Sequence, residues 1–503
     1  MSNATTNGTR PSAEARAAAA QATTRYFDAV IATLADLVAF RTVTEVGVAN
    51  AHHPEFIRLK KFLSRTAKRL AFDFEDHGAV VVLGLGESND RLGLLTHADV
   101  RPANGAAWAT DPFCLDTQSE PGRLLGRGVE DDKGPIAAAL YSMKSLSDQG
   151  LHTKRRVELI ISLTEESDWT PFREFLAHWN PPQLNIALDA FYPVVSAEHG
   201  TGAIHVTLPA QPSPPTPPNE PSIASFSGGI FLSQIPAEAE AVITGASTER
   251  ISSLCRDLNQ PTDGNFEFNI VGDTARIRAR GVAAHSSAPW EGRNAITQLA
   301  AWLGTRPWPP TPAATMTRFI NELIGMSHYA EQFGAVAYSH DFMGPLTLAL
   351  TTLRHTDDGG LVAGINIRRP VGRNREMVDA TIRETLDSWQ KQSGTPLNYS
   401  IDIGEPYFLQ SAPHIPILMD IFRFYSGRAV TGPISIGGGT QARLLPNGVN
   451  FGPAMPDEPY TGHSEHEFMT IERLKLNLQM YTAMLVELSS GAARPHLATD
   501  DDR

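Results

Sequence analysis

Residues 92–99 read LGLLTHAD, a short apolar run that ends in an imidazole and a carboxylate, His97 and Asp99. The run is too short for a helix and nearly all apolar, the pattern of a strand buried on both faces of a parallel sheet. Similar runs lie to either side: VVVLGL at 80–85, VELIISLT at 157–164 and NIAL at 185–188. Two further stretches, PIAAALYSMKSL at 135–146 and PFREFLAHW at 171–179, carry apolar residues at helical spacing. Strand and helix in turn predict an α/β domain whose largely parallel sheet is flanked by helices. In such a sheet, ligands bind beyond the carboxyl ends of the strands. The runs end there in His97 and Asp99, in Glu165 and Glu166, and in Asp189.

Outside this region the pattern changes. Helical spacing is also present at 25–42 and 55–71, after a first 24 residues rich in Ala, Thr and Ser. Those 24 lack the apolar core of a signal peptide and read as a flexible extension. Downstream, 209–221 (PAQPSPPTPPNEP) is crowded with proline and must be loop. AEAVIT (239–244), NFEFNIVG (265–272) and TARIRARGV (274–282) then alternate as half-exposed antiparallel strands do. A helix over 293–304 and a strand over 361–369 follow, with hairpin-and-helix patterns on both sides of the prolines at 307–312. We read 199–396 as an inserted α+β lid domain. It divides a catalytic domain of 25–198 and 397–503, which closes with a helix over 470–488.

Composition narrows the function. In the 503 residues, 42 Lys and Arg stand against 55 Asp and Glu, a net charge of −13 that argues against a nucleic-acid partner. No apolar run of about 18 residues suggests a membrane span. Two cysteines, Cys114 and Cys255, supply neither a disulfide framework nor a thiolate cluster, so a metal would rest on His and carboxylate. A cytoplasmic location is the expectation from few cysteines and no signal peptide.

The strand-end residues, with Asp131 and Asp132 in GRGVEDDKG (126–134), make an inventory suited to catalytic zinc, with manganese or cobalt as substitutes. Two metals about 3.5–4 Å apart need a shared carboxylate. One more carboxylate must stay unligated to accept a proton from water.

The stretches THADVRPA…W…DPF (96–113), GRGVEDDKGP (126–135), TEESDW (164–169), GVAAHSSAPWEGRNA (281–295), NIRRP (366–370), GGGTQAR (437–443) and GHSEHEF (462–468) resemble, in order and spacing, the motifs of the di-zinc metallopeptidases of clan MH. That group includes aminoacylases, carboxypeptidase G and carnosinase-type dipeptidases; LDAFYPVVSAEHG and GGGTQAR resemble the bacterial dipeptidase V branch. The resemblance implies two zinc ions per chain. It makes His97 and Asp189 ligands of one zinc, Glu166 and His463 ligands of the other, and Asp131 the bridge, with a cis peptide after it. It makes Asp99 the acid that orients His97 and Glu165 the general base. In the insert, His285 and Arg368 match groups that reach the scissile carbonyl oxygen. The Gly437–Thr440 turn, with Gly438, Gly439 and Thr440, matches the cradle of the substrate carboxylate.

Three positions depart from the pattern. Ser233 stands where the dipeptidase branch has a carbonyl-polarising Asn, Gln441 where Tyr is common, and Arg369 where an aromatic is frequent. His52, His53, His77, His152, His178 and His199 meet no motif, and His466 is not taken as a ligand. The implied activity is hydrolysis of dipeptides with a free C-terminal carboxylate. The alternative on the same fold is an N-acyl-amino-acid amidohydrolase or carboxypeptidase. A catalytically silent binding protein would need a lost ligand or base, and none is missing. Within the resemblance, members with a small insert dimerise through it, and the dipeptidase V branch has an enlarged insert over its own site. An insert about twice the length of one small α+β unit therefore implies a self-contained monomer, with a homodimer as the alternative.

Overall fold

The computed structural model describes residues 10–151, 153–210, 219–258 and 265–489. His152 and most of the proline-rich loop therefore lie outside the described residues. The chain divides into two compact units.

The first unit, residues 1–197, 409–434 and 440–503, holds the motif-bearing strands. Its sequence begins with helix α1 (Ala13–Val38) and helix α2 (Pro54–Leu70), followed by strands β1 (Asp73–Asp76), β2 (Val80–Leu85) and β3 (Arg91–His97). Strand β4 (Arg123–Leu125), helix α3 (Lys133–Asp148), strand β5 (Arg156–Ser162), helix α4 (Thr170–His178) and strand β6 (Leu184–Ala187) continue it. In the sheet β3 lies between β5 and β6, parallel to both. The strand Gly448–Asn450 continues the parallel set beside β6. On the other side β2 runs antiparallel to β5, and β1 antiparallel to β2. The sheet is thus mixed, with a parallel centre.

Register levels the strand ends. His97 pairs with Ser162, and Leu95 with Ala187, so His97, Glu165 and Asp189 all emerge at one edge of the sheet. The core beneath is built from α1, α3 and the C-terminal helix Ile471–Ser489, with Leu34, Leu140 and Leu485 among its fully buried residues.

The extension expected over 1–24 is helix from Ala13 on. Ser12 caps it, its Oγ accepting from Ala15 N at 3.1 Å. Ala15, Ala18, Ala19 and Ala22 are fully buried in the core. Alanine is the strongest helix former, and the small-residue face that reads as low complexity is a packing face.

The second unit spans 198–408 and 435–439. Its end lies past 396 because the strand Asn398–Ile403 pairs with Gly200–Leu208. The patterns before and after 307–312 join one eight-stranded sheet whose paired strands are all antiparallel. The helices Ala295–Leu303 and Arg375–Ser393 contribute Ile296, Leu299, Ile382 and Trp389 to its core.

Candidate metal centre

His97 is the last residue of β3 and is 1% exposed. Its Nε2 lies 2.8 Å from Asp131 Oδ1 and 3.4 Å from Asp189 Oδ1. Its Nδ1 faces the Asp99 main-chain carbonyl at 2.9 Å, while the Asp99 carboxylate stays 3.6 Å away. The carbonyl thus makes the nearer contact, and the Asp99 carboxylate, which the resemblance assigns to orienting His97, stands beyond it at ion-pair distance. That carboxylate accepts from the main-chain N–H groups of Glu165 (3.0 Å) and Glu166 (2.9 Å). It fixes the turn after β5, which carries two of the candidate groups.

Asp131 ends the turn before α3, and its peptide bond to Asp132 is cis, as the resemblance implied. Gly128 in that turn has φ +90, and a Cβ there would meet Lys133 Cδ at 2.9 Å, so only glycine fits. Asp131 turns its second oxygen the other way: Oδ2 lies 3.0 Å from His463 Nε2. The same nitrogen is 2.9 Å from Glu166 Oε1. His97, Asp131 and Asp189 form one group of potential metal ligands and Asp131, Glu166 and His463 a second, each with its atoms within 4.8 Å of one another. Asp131 belongs to both. Glu165 belongs to neither.

Charge crowding shifts these groups. Burial pushes Asp189 up to about 6 against the opposing pull of His97. Burial, then the Asp189 charge, holds Glu165 well above the usual carboxylate range. Burial alone would lower both imidazoles, yet neighbouring carboxylates keep His97 well above its ordinary value and raise His463 to about 10. Carboxylates gathered at buried strand ends call for cations, and one imidazole with two carboxylates per group suits borderline divalent metals. The residues fit two such ions.

The other expected residues lie in the second unit, apart from Thr440. His285 pairs with Gln234 across a two-stranded ladder, and Ser233 O accepts from Ser286 N at 2.8 Å. Arg368, 7% exposed, donates from Nε to Asn366 Oδ1 (2.8 Å), from Nη2 to Ser286 Oγ (3.0 Å) and from Nη1 to Gly437 O (3.1 Å). Burial lowers this guanidinium to about 10. Ser233, His285, Arg368 and Gly437 thus meet within one unit. Gly438 and Gly439 follow in the same segment, and Thr440 lies in the first unit, its Oγ1 held by Asn450 Nδ2 at 3.1 Å. Arg369 is buried and donates to Gly404 O (2.9 Å), Arg373 O (2.8 Å) and Glu405.

Sequence reading missed several residues that touch the centre. Tyr460 Oη donates to Asp131 Oδ2 at 2.5 Å, and Arg101 Nε lies 2.9 Å from Glu166 Oε2. Glu467 receives four hydrogen bonds from Arg127 and the Asp131 turn. Glu467 sits within the quoted GHSEHEF stretch, and Tyr460 three residues before His463; that proximity was the available signal.

Comparison with known proteins bears on this centre. The model of the peptidase family M20/M25/M40 matches residues 93–487. YtjP of Bacillus subtilis (strain 168), provisionally named a dipeptidase, is 32% identical over 411 residues, covering 80% of this chain and 84% of that protein. The Beta-Ala-Xaa dipeptidase of Lactobacillus delbrueckii subsp. lactis is 29% identical over 475 residues, 92% of this chain and 96% of that one. Among solved structures, human carnosine dipeptidase 1 shares the fold at a TM-score of 0.56 and 14% identity, over 95% of this chain and 99% of that one. None of the helices among the described residues is long and apolar enough to cross a membrane.

Proposed function

Because the chain belongs to peptidase family M20/M25/M40 and is a metallopeptidase, we propose that it hydrolyses dipeptides with a free C-terminal carboxylate, using two metal ions, preferentially zinc. The observation that carries this is the pair of ligand groups sharing Asp131, with Glu165 beside them and outside both. His97, Asp189 and Asp131 would hold one ion, and Glu166, His463 and Asp131 the other. Bound there, the ions supply Lewis acidity to the scissile carbonyl and acidify the attacking water.

The chain's own groups do the rest. Glu165, raised in basicity by burial and by Asp189, takes a proton from the attacking water and passes it to the leaving amine. Asp99 holds Glu165 and Glu166 in place through their N–H groups. On the resemblance, we assign His285 and Arg368 to the developing oxyanion, with Ser233 beside them, and Gly438, Gly439 and Thr440 to the substrate carboxylate. We further assign the active species as a monomer.

A substrate panel tests the proposal. Dipeptides, including β-alanyl ones because the Lactobacillus relative is named for them, are compared with N-acetyl amino acids of the same C-terminal residue. The expected result is metal-dependent cleavage of dipeptides, abolished by EDTA and restored by zinc, manganese or cobalt. Faster cleavage of the acetyl compounds would make the protein an amidohydrolase instead.

A further inference from the structure

His97, Glu166 and Asp189 stand at or just beyond strand ends and are placed by the sheet. Asp131 and His463 stand on connecting segments more than 300 residues apart in sequence, and both must be brought to Glu166. Two buried carboxylates join those segments reciprocally. Glu467, fully buried and four residues after His463, reaches into the Asp131 turn. Its Oε1 accepts from Glu130 N (2.9 Å) and Asp131 N (3.1 Å), and its Oε2 from Gly128 N (2.9 Å) and Arg127 Nη1 (2.9 Å). Four donors fill the usual capacity of a carboxylate.

Glu130, in the turn and also fully buried, reaches back. Its Oε2 accepts from both Thr461 N and Thr461 Oγ1 at 2.6 Å, and its Oε1 from Arg473 Nη1 at 2.7 Å. Thr461 lies two residues before His463. A short ladder, with Phe468 opposite Leu125, continues the join. Each segment thus supplies a carboxylate to the other's donors.

We propose that Glu467, with Glu130 as its counterpart, is a positioning residue for the Asp131–Glu166–His463 metal site, fixing Asp131 and His463 relative to each other. The inference rests on the two-metal reading above. The site that uses His97 and Asp189 shares only Asp131 with the clamp, so it depends on the clamp less. Removing the clamp therefore affects the two ions unequally.

The test titrates full-length protein with zinc in a chelator buffer, resolving the two dissociation constants, and records unfolding of the metal-free protein. Glu467→Gln, which puts an amide NH2 against N–H donors, is expected to weaken one zinc about 10–100-fold, the usual scale for partners of metal ligands, while the other changes a few-fold. Thr461→Val, which removes the hydroxyl donor to Glu130 and the acceptor of the Phe468 N–H, is expected to weaken the same zinc several-fold, the other only slightly, and to lower the metal-free unfolding midpoint modestly. Glu158→Gln, in a buried ion-pair cluster with Arg91 and Arg156, is the structural control and should lower that midpoint without changing either constant. The proposal is overturned if Glu467→Gln and Thr461→Val bind both zincs as the wild type does. It is equally overturned if both ions weaken alike. If Glu467→Gln does not fold, Thr461→Val alone decides. A wild type that binds no zinc would contradict the metal reading itself, a result distinct from failure of the clamp.

Discussion

At the scale of single residues, three side chains divide the work at one sheet edge. Asp131 presents one oxygen to His97 and the other to His463, which is what a bridging ligand requires. Glu165 is held by its own backbone N–H to Asp99 and leaves its carboxylate outside both ligand groups. Glu165→Gln should therefore retain both metals and lose turnover by about 10²–10⁴-fold, the scale of a positioned acid–base group. Metal analysis and assay on one sample check this; near-normal activity would remove Glu165 from the role of base. Most of these residues were readable in the sequence because strand ends and motif spacing mark them. Asp99 shows the limit. Its place was legible, but which of its oxygens faces His97 depends on the backbone path after β3, which spacing does not encode.

At the scale of elements, the turn from Gly126 to the start of α3 leaves no room for an added side-chain atom at its helix end. A Cβ on Gly134 would lie 2.2 Å from Val129 O, a backbone atom of that turn. Gly134→Ala should displace the turn that carries Asp131, costing about 1–3 kcal/mol as overpacking does. Unfolding with and without zinc measures it, and the loss should be larger with zinc, since bound metal stabilises the native state by mass action. An equal loss in both conditions would show that the turn and the metal centre are independent. Element boundaries were legible where periodicity was strong. The helix expected over 470–488 is Ile471–Ser489, and the strand expected over 361–369 is Leu361–Arg369. They failed where composition misled. The alanines of α1 read as a loose tail because their burial depends on long-range packing against α3 and the C-terminal helix. The antiparallel placement of β2 was likewise invisible, since a uniformly apolar strand gives no sign of its direction.

Across the whole molecule, stability should carry a signature of its own. His414, at the start of the helix His414–Ser426, is fully buried, and burial depresses it to about 4 from an ordinary 6.5. Its folded pKa lies below its unfolded one, so protonation favours unfolding. Above about pH 6.5 its titration adds nothing to the pH dependence of stability. As the pH falls from about 6.5 to about 4, the destabilisation grows to about 3 kcal/mol, since each pH unit between the two pKa values contributes about 1.4 kcal/mol. His414→Leu should therefore flatten the loss of stability on acidification across that window, read from urea midpoints at several pH values. Parallel wild-type and variant curves would show that His414 is not a source of acid lability. The division into two units was foreseen from the proline-rich break and the change from uniform to alternating strands. Its return at 435–439 was not, because a five-residue excursion carries too little pattern to register.

On the proposed reading, one carboxylate, Asp131, serves two metal ions at once. The direct measurement is metal per chain in purified wild type and in Asp131→Ala after equilibration with zinc and removal of excess. Two ions are expected in the wild type and fewer than one in the variant, with activity lost in parallel. An Asp131→Ala protein that still holds two ions would contradict that reading.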